Sequence, residues 1–411
     1  ALWAYESLGN VEKADYHEVW SRDELKDKEP LIDLPGSNGA IIYPEYLTDD
    51  SRLTVANLRS SGDHGASVSS YLKAIAIRRD TDFSIEAKST LPGDQSTGTI
   101  RAKTVVNASG PWVDEVCNME VEQNPRLALS RGVHVVFDHN DIPVQRTVVM
   151  RTQDRRRIFA VPLGEYTYLG TTDDFHFNSE YWPPVDQEDI NYLLKGTEKV
   201  MPSLSLSPNN IISVWSGIRP LVGDGSGRAT KELSRKDEIW ISPNGMLSVG
   251  GGKLSAYRAM AERVVDQLID IGDFTVKPCR TGDEPLPGGE RVVDPSTLKG
   301  QTKSGAERLA RLYGTEAQSI IECSQNDFEA TTIAEARHAV MSEGALRLED
   351  YWARRSSRAW FDFKAGLPVL KVAAATMGEL LDWDSTRIAV EVENCRNIDS
   401  ESRASFLNSE S

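Results

Sequence analysis

No stretch of this sequence stays apolar for the roughly 20 residues that a membrane-crossing helix needs, and its first residues lack the basic-then-apolar order of a secretory signal. The expectation is a soluble or at most peripheral protein. Cysteine is scarce: Cys117, Cys279, Cys323 and Cys395 stand far apart and form no CxxC pair, so they read as reduced structural thiols rather than a metal site. Positive charge is also short. Lysine and arginine number 46 against 62 acidic residues, and the resulting charge of −16 opposes broad attraction to nucleic acid phosphates. A GxGxxG fingerprint and a GxxxxGK[ST] loop are both missing, which disfavours nucleoside triphosphate binding. No internal repeat is visible. What remains is a 411-residue chain, 39% apolar, long enough for a sizeable core and about two or three domains.

Pattern divides the chain into regions. The first holds a helix from Ser51 to His64, a strand-like run from Ser67 to Arg78, a polar turn at Pro92 and Gly93, and a strand from Ala102 to Asn107, as in part of an α/β unit. Between Val133 and Trp215, short β-branched stretches punctuated by Gly, Pro and Asp predict antiparallel sheet. A strand at Met246–Val249 runs into three glycines and a helix from Leu254 to Ile269. After Pro285–Gly289 the composition shifts to Ala, Glu, Arg and Leu, and helical periodicity over Glu335–Arg355 and Val369–Leu381 predicts a separate helical domain. The polar, Ser-rich end from Asn397 to Ser411 reads as a disordered tail. Ala1 to Tyr5 reads like the middle of a helix, hence the expectation of a truncated chain.

Three constellations carry chemistry. Thr104-Val-Val-Asn-Ala-Ser-Gly-Pro-Trp112 is a strand ending in small residues, where backbone can approach a cofactor; an ordinary strand exit is the plain alternative. Leu247-Ser-Val-Gly-Gly-Gly-Lys-Leu-Ser-Ala-Tyr-Arg258 runs strand, glycines, helix. Its free N–H groups, positive dipole end and Lys253 suit a phosphate or a reduced anionic flavin, against the alternative of a tight turn with a solvated lysine. In Val214-Trp-Ser-Gly-Ile-Arg-Pro-Leu221, Arg219 sits in a stiff Gly217–Pro220 frame, placed either to grip a phosphate or carboxylate or to form a structural ion pair.

Taken in order, Thr48-Asp-Asp-Ser-Arg-Leu53, Asn107-Ala-Ser-Gly-Pro-Trp112, Ser130-Arg-Gly-Val-His134, Ile158-Phe-Ala-Val-Pro162, Leu169-Gly-Thr-Thr-Asp173, Ser216-Gly-Ile-Arg-Pro-Leu221, Gly251-Gly-Lys-Leu-Ser-Ala-Tyr-Arg258 and Leu286-Pro-Gly-Gly289 resemble the FAD-dependent glycerol-3-phosphate dehydrogenase family. So does the helical end, with Ala345-Leu-Arg-Leu-Glu-Asp350, Arg354-Arg355 and Trp383-Asp384. The resemblance implies an amino-acid-oxidase-type flavoprotein fold: α/β, with an antiparallel β substrate domain and a C-terminal helical domain. The corresponding division is 1–48 in the substrate domain, 49–117 in the FAD-binding domain, 118–240 in the antiparallel substrate-binding domain, 241–275 as the return segment of the FAD-binding domain, 285–396 as the helical domain and 397–411 as the tail.

By the same resemblance, Arg219, Arg235 and His134 bind substrate, with Arg219 and His134 catalytic and His134 taking the hydroxyl proton. Asn107, Ala108, Gly110, Gly251, Gly252, Lys253, Leu254 and Ser255 bind FAD. On residue pattern alone, His134 is equally a satisfied histidine between strands and Arg235 a solvated loop charge. The implied reaction is oxidation of sn-glycerol 3-phosphate to dihydroxyacetone phosphate with electrons passed to a quinone. The implied partners are this substrate, a quinone, a membrane surface touched peripherally on its inner face if the protein is not simply cytoplasmic, and a second copy of the chain. An oxidase using oxygen, an amine or amino-acid oxidase of the same fold, and an inactive fragment are the alternatives.

Two departures stand out. Ser255 and Ala256 replace the family's two threonines, and the family's initial ADP-binding strand, GxGxxG and helix have no counterpart here, on the order of a hundred residues by this analogy. The 411-residue chain alone is therefore expected to bind FAD weakly or not at all and to purify colourless. A stoichiometric flavin absorbance in that chain would refute the expectation.

Overall fold

The computed structural model describes residues 2–9, 11–33, 35–223, 236–272, 274–324 and 328–407. Helix α1 (Leu2–Leu8) precedes strand β1 (Glu18–Ser21), helix α2 (Arg22–Lys28) and strand β2 (Gly39–Ile42), with β1 and β2 antiparallel. Ser21 starts α2 with a reciprocal cap: its hydroxyl accepts from the Glu24 N–H and the Glu24 carboxylate accepts from the Ser21 N–H. Asp49 caps α3 (Asp50–Asp63) from one side only, its carboxylate accepting from the Arg52 N–H at 3.0 Å.

Next comes a three-stranded antiparallel sheet of β3 (Leu72–Arg79), β4 (Phe83–Ser89) and β5 (Thr97–Ala102), followed by β6 (Val106–Asn107) and α4 (Val113–Glu120). The single strand expected over Ala102–Asn107 is thus two: β5 ends at Ala102, and the chain breaks before β6 joins a different sheet.

The central sheet is six-stranded: β7 (Leu127–Asp138), β8 (Val148–Arg151), β9 (Arg157–Leu163), β10 (Tyr166–Gly170), β11 (Asp174–His176) and β12 (Ser213–Val222), with α5 (Gln187–Glu198) between the last two. Every pairing in it is antiparallel. Strand alternation gives β7 two unlike faces. Val133, Val135 and Phe137 point into a core shared with Ile158, Leu169 and, from α5, Ile190 and Leu193. Each such side chain contributes roughly 1.5–3 kcal/mol when fully buried, which sets which face of the sheet is inside. The other face carries Ser130, Gly132 and His134.

Strands β13 (Asp237–Ile241) and β14 (Leu247–Gly251) pair antiparallel, and β14 also pairs parallel with β6. The expected helix from Leu254 opens as a 3-10 turn and becomes α6 (Tyr257–Gly272) only at Tyr257.

The helical region comprises α7 (Lys303–Tyr313), α8 (Ala317–Ser324), α9 (Phe328–Met341), a π-helical turn at Asp350–Arg355, α10 (Leu370–Leu381) and α11 (Ser385–Leu407). The segment of helical periodicity over Glu335–Arg355 is interrupted after Met341, and Gly344 takes φ of 62°. Charged pairs tie α3 to this region. Arg59 grips Glu316 with two bonds of 2.7 Å, and Arg52 meets the buried Glu343 at 2.6 Å.

The disordered tail expected from Asn397 is corrected by the structure, because α11 continues to Leu407; of that tail, residues 408–411 lie outside the described set. Phe406 is 3% exposed and belongs to the core beneath the central sheet. Arg403 donates to the carbonyls of Ile211 at 3.2 Å and of Ile212, and the Ser405 hydroxyl donates to the Val185 carbonyl. Polar composition hid a helix that Ile398 packs onto the core of the helical region and Phe406 onto the core of the central sheet. Phe406→Ala should cost roughly 3–5 kcal/mol of stability by opening a core cavity. Urea denaturation monitored by tryptophan fluorescence measures this, and an unchanged midpoint would refute the anchoring role.

Candidate active site

Register places the site. On the face of the central sheet opposite the aliphatic core, β7 and β12 set Trp215 beside His134, Gly217 beside Gly132 and Arg219 beside Ser130, while β10 sets Gly170 on the other side of His134. Two glycines make the room. A Cβ at Gly132 would overlap the Arg219 guanidinium, and one at Gly170 would overlap the His134 ring. The cation therefore lies against the bare backbone of β7, and the imidazole sets its Cδ2 edge over the bare backbone of β10.

Arg219 is held at the edge by the segment leaving β10. Its guanidinium donates to the Thr171 hydroxyl at 2.9 Å and the Thr172 carbonyl at 3.4 Å, and it stands 3.7 Å from the Asp173 carboxylate. Asp173 accepts from the Ser130 hydroxyl, and the Thr172 hydroxyl accepts from the Val133 N–H at 3.1 Å, which fixes the segment to β7. A planar guanidinium fixed this way can present a fork to a bound anion.

His134 is half-buried, and its ring stacks on Trp215 with centroids 4.7 Å apart and planes 9° from parallel. Tyr168 meets it edge-on at 6.1 Å. Nδ1 has no hydrogen-bond partner among the described residues. Removal from water, with the positive charge of Arg219 adding, pushes the imidazole from its ordinary 6.5 down to about 3. It is thus neutral at physiological pH and offers a ring-nitrogen lone pair to a hydroxyl donor, although so depressed a value makes it a weak base.

The helical region closes this face. Phe361 lies 5.8 Å from Tyr168 and 5.7 Å from Trp215, and Trp360 lies 5.7 Å from Trp215. The Ser213 hydroxyl, at the start of β12, donates to the Trp360 carbonyl at 2.7 Å. Beyond Tyr166 and Phe361 a cavity of about 460 Å³ opens between the β9–β10 turn and α7; Arg308 and Arg358 on its wall are paired with Glu335 and Asp362.

A second group forms where β6 and β14 run parallel. Their carboxyl ends lie side by side, the position at which open α/β sheets receive ligands. Ala108 and Gly110 leave β6, and Gly252, Lys253, Leu254 and Ser255 leave β14, with Ala108, Lys253, Leu254 and Ser255 exposed. Gly251 and Gly252 take φ of 73° and 91°, backbone that only glycine adopts easily, and nothing stands within 4 Å of a Cβ built on Gly110. Bare, convergent backbone at two strand ends fits a flat cofactor approached edge-on. Asn107 differs from its neighbours here. It is buried, donating to the Val113 carbonyl at 3.0 Å and accepting from the Ser109 hydroxyl at 2.6 Å, so its side chain pins the turn. The Val222 side chain, at the end of β12, packs on Gly251 and joins the strand ends to the sheet face that bears Arg219.

The structure thus brings His134 and Arg219 together on one face and gathers Asn107, Ala108, Gly110 and the 251–255 segment at the adjoining edge. Arg235 lies outside the described residues. Sequence reasoning missed Trp215, Thr171, Thr172 and Asp173, which sit inside or beside its motifs but gain a role only through register.

Residues 3–258 match the FAD dependent oxidoreductase family, and residues 279–388 match the family described as the C-terminal domain of alpha-glycerophosphate oxidase. Fold and strand-end geometry together define an FAD-dependent oxidoreductase with an appended helical domain. The aerobic glycerol-3-phosphate dehydrogenase of Staphylococcus aureus is 33% identical over 420 residues, covering 95% of this chain and 75% of that protein. The crystal structure of glycerol-3-phosphate dehydrogenase from Bacillus halodurans complexed with FAD superposes with a TM-score of 0.83 at 28% identity, over 95% of this chain and 81% of that one. The chain belongs to the FAD-dependent glycerol-3-phosphate dehydrogenase family.

The depressed His134 has a consequence for stability. Its neutral form contributes fully above the unfolded value of 6.5, and that contribution is lost as pH falls from 6.5 toward about 3, because the unfolded chain takes up the proton first. His134→Gln should therefore show a shallower fall in melting temperature than the parent across that window. Parallel curves for the two proteins would show that the imidazole is not held neutral by the fold.

Proposed function

We propose that the protein oxidises sn-glycerol 3-phosphate to dihydroxyacetone phosphate, that it touches a membrane surface only peripherally, and that its electrons leave to a quinone. The observation that carries this reading is a neutral imidazole and a backbone-seated guanidinium on one sheet face, next to the strand ends suited to a flavin. Arg219 holds the phosphate with its fork, and Arg235 is proposed as a second cation. His134 accepts the C2 hydroxyl proton as the carbonyl forms. Bound FAD supplies the hydride acceptor. Ala108, Gly110, Gly251, Gly252, Lys253, Leu254 and Ser255 would hold it, with the Lys253 charge favouring an anionic ring. The Trp215, Tyr168 and Phe361 rings exclude water from the proton-accepting side.

Arg219 supplies the direct test. In protein loaded with FAD, Arg219→Ala should lower kcat/KM for glycerol 3-phosphate by about 30-fold to several-thousand-fold, equivalent to roughly 2–5 kcal/mol for one desolvated charge-assisted contact, while flavin content stays unchanged. Arg219→Lys should recover only part, since it keeps the charge and loses the fork. A lowered melting temperature with unchanged kcat/KM would make Arg219 a structural ion-pair residue. Reduction of the flavin by sarcosine or glycine rather than by glycerol 3-phosphate would overturn the substrate.

A further inference from the structure

We infer that Trp215 is the positioning residue for His134, and that the C-terminal helical domain, through Trp360 and Phe361, holds that pair in place. The inference rests on the proposed reading of His134 as proton acceptor.

A histidine that takes a proton usually has its ring fixed by a hydrogen bond at the second nitrogen, from a carboxylate or a backbone carbonyl. His134 lacks that device: Nδ1 is buried and has no partner among the described residues. The torsion that turns an imidazole about its Cβ–Cγ bond is broad and about two-fold, so packing has to set the ring plane. Two features supply it. The ring edge occupies space above Gly170 that any side chain there would fill. The ring face is stacked on the indole of its cross-strand register partner, at 4.7 Å and 9°.

Trp215 is in turn enclosed. Tyr168 lies 5.6 Å away on β10, and Phe361 and Trp360, each 5.7 Å away, belong to the helical domain. The same domain grips β12 at its start, where Ser213 donates to the Trp360 carbonyl and Arg403 of α11 donates to the Ile211 carbonyl. Backbone and ring contacts therefore converge from one domain onto the strand that carries both Trp215 and Arg219. This gives the helical domain a part in the chemistry through the rings that surround Trp215.

The charges around the stack leave this assignment to packing. Arg219 faces His134 from β12, with Asp173 beyond it in the segment before β11. Tyr168 faces it from β10, its phenol pushed up to about 12 by burial and hence neutral, with Arg311 of α7 beyond. From the helical domain itself the nearest rings, Trp360 and Phe361, carry no charge. No carboxylate is ion-paired to the imidazole among the described residues.

The test is an NMR titration of the histidine ring protons in the full chain, with His134→Gln assigning the resonance. In the parent, the stacked indole should shift the His134 ring protons upfield, and the ring should titrate near 3. In Trp215→Leu the upfield shift should vanish and the midpoint should rise by about one to three pH units as water reaches the freed ring. Trp215→Phe should restore most of both. A Trp215→Leu protein with native circular dichroism and an unmoved midpoint overturns the inference. If Trp215→Leu does not fold, Phe361→Leu carries the same test from the helical side, with a smaller rise expected and no change counting against the proposal. The two readings fail separately. Unchanged kcat/KM in FAD-loaded His134→Gln removes the proton-acceptor role while a moved midpoint in Trp215→Leu keeps the positioning. Lost turnover in His134→Gln beside an unmoved midpoint in Trp215→Leu removes the positioning alone.

Discussion

The antiparallel pairing of β7 with β12 is the constraint on which the rest depends. It runs from Leu127 opposite Val222 to Val136 opposite Ser213 and sets which side chains share a face. A slip of one residue would turn Arg219 and Trp215 into the aliphatic core and bring Ile218 and Val214 out. The buried set behind the sheet forbids that slip, since Val133, Val135 and Phe137 are each 0% exposed and have no other place to go. Hydrophobic burial on one face thus specifies polar geometry on the other.

The helical region adds constraint through charge as well as rings. The Glu335 carboxylate, fully buried, accepts from Arg358 at 2.7 Å and from the Tyr313 hydroxyl at 2.9 Å, and pairs with Arg308 at 2.9 Å. Those cations hold its pKa below the ordinary range despite the desolvation that pushes it up. A buried network of this kind adds little net stability compared with apolar packing, but leaving any one member unpaired is costly, so it strongly disfavours alternative arrangements of α7, α9 and the Arg358 turn. That turn carries Trp360 and Phe361. The ionic network inside the helical domain and the aromatic contacts on the substrate sheet are consecutive parts of one chain of contacts.

Small residues act where cofactor and substrate regions meet. Gly132 and Gly170 are needed for the space they leave, whereas Gly251 and Gly252 are needed for their backbone conformation. The Val222 contact with Gly251 connects the two regions, so the strand that positions Arg219 also abuts the turn that exposes Lys253.

Much of this was legible in the sequence. Alternation marked the antiparallel region, and the resemblance carried by the ordered motifs pointed to the family and to His134 and Arg219 as residues of one pocket. Local physics suffices for the sheet and the turns, because strand period and glycine turns are properties of neighbours along the chain, whereas the pocket residues came from the resemblance. Other features were decided by tertiary structure alone. Trp215 became significant because the register set it on His134, and Thr171, Thr172 and Asp173 because the end of β10 folds over Arg219. Asn107 turned inward because Val113 and Ser109 lay within its reach. The polar residues after Asn397 became helix because Ile398 packs on the helical core and Phe406 joins a core built from distant parts of the chain, Ile211 and Val214 among them. Each of these depends on which distant segment becomes a neighbour, and that is settled by the burial of the whole sheet rather than by any stretch of residues.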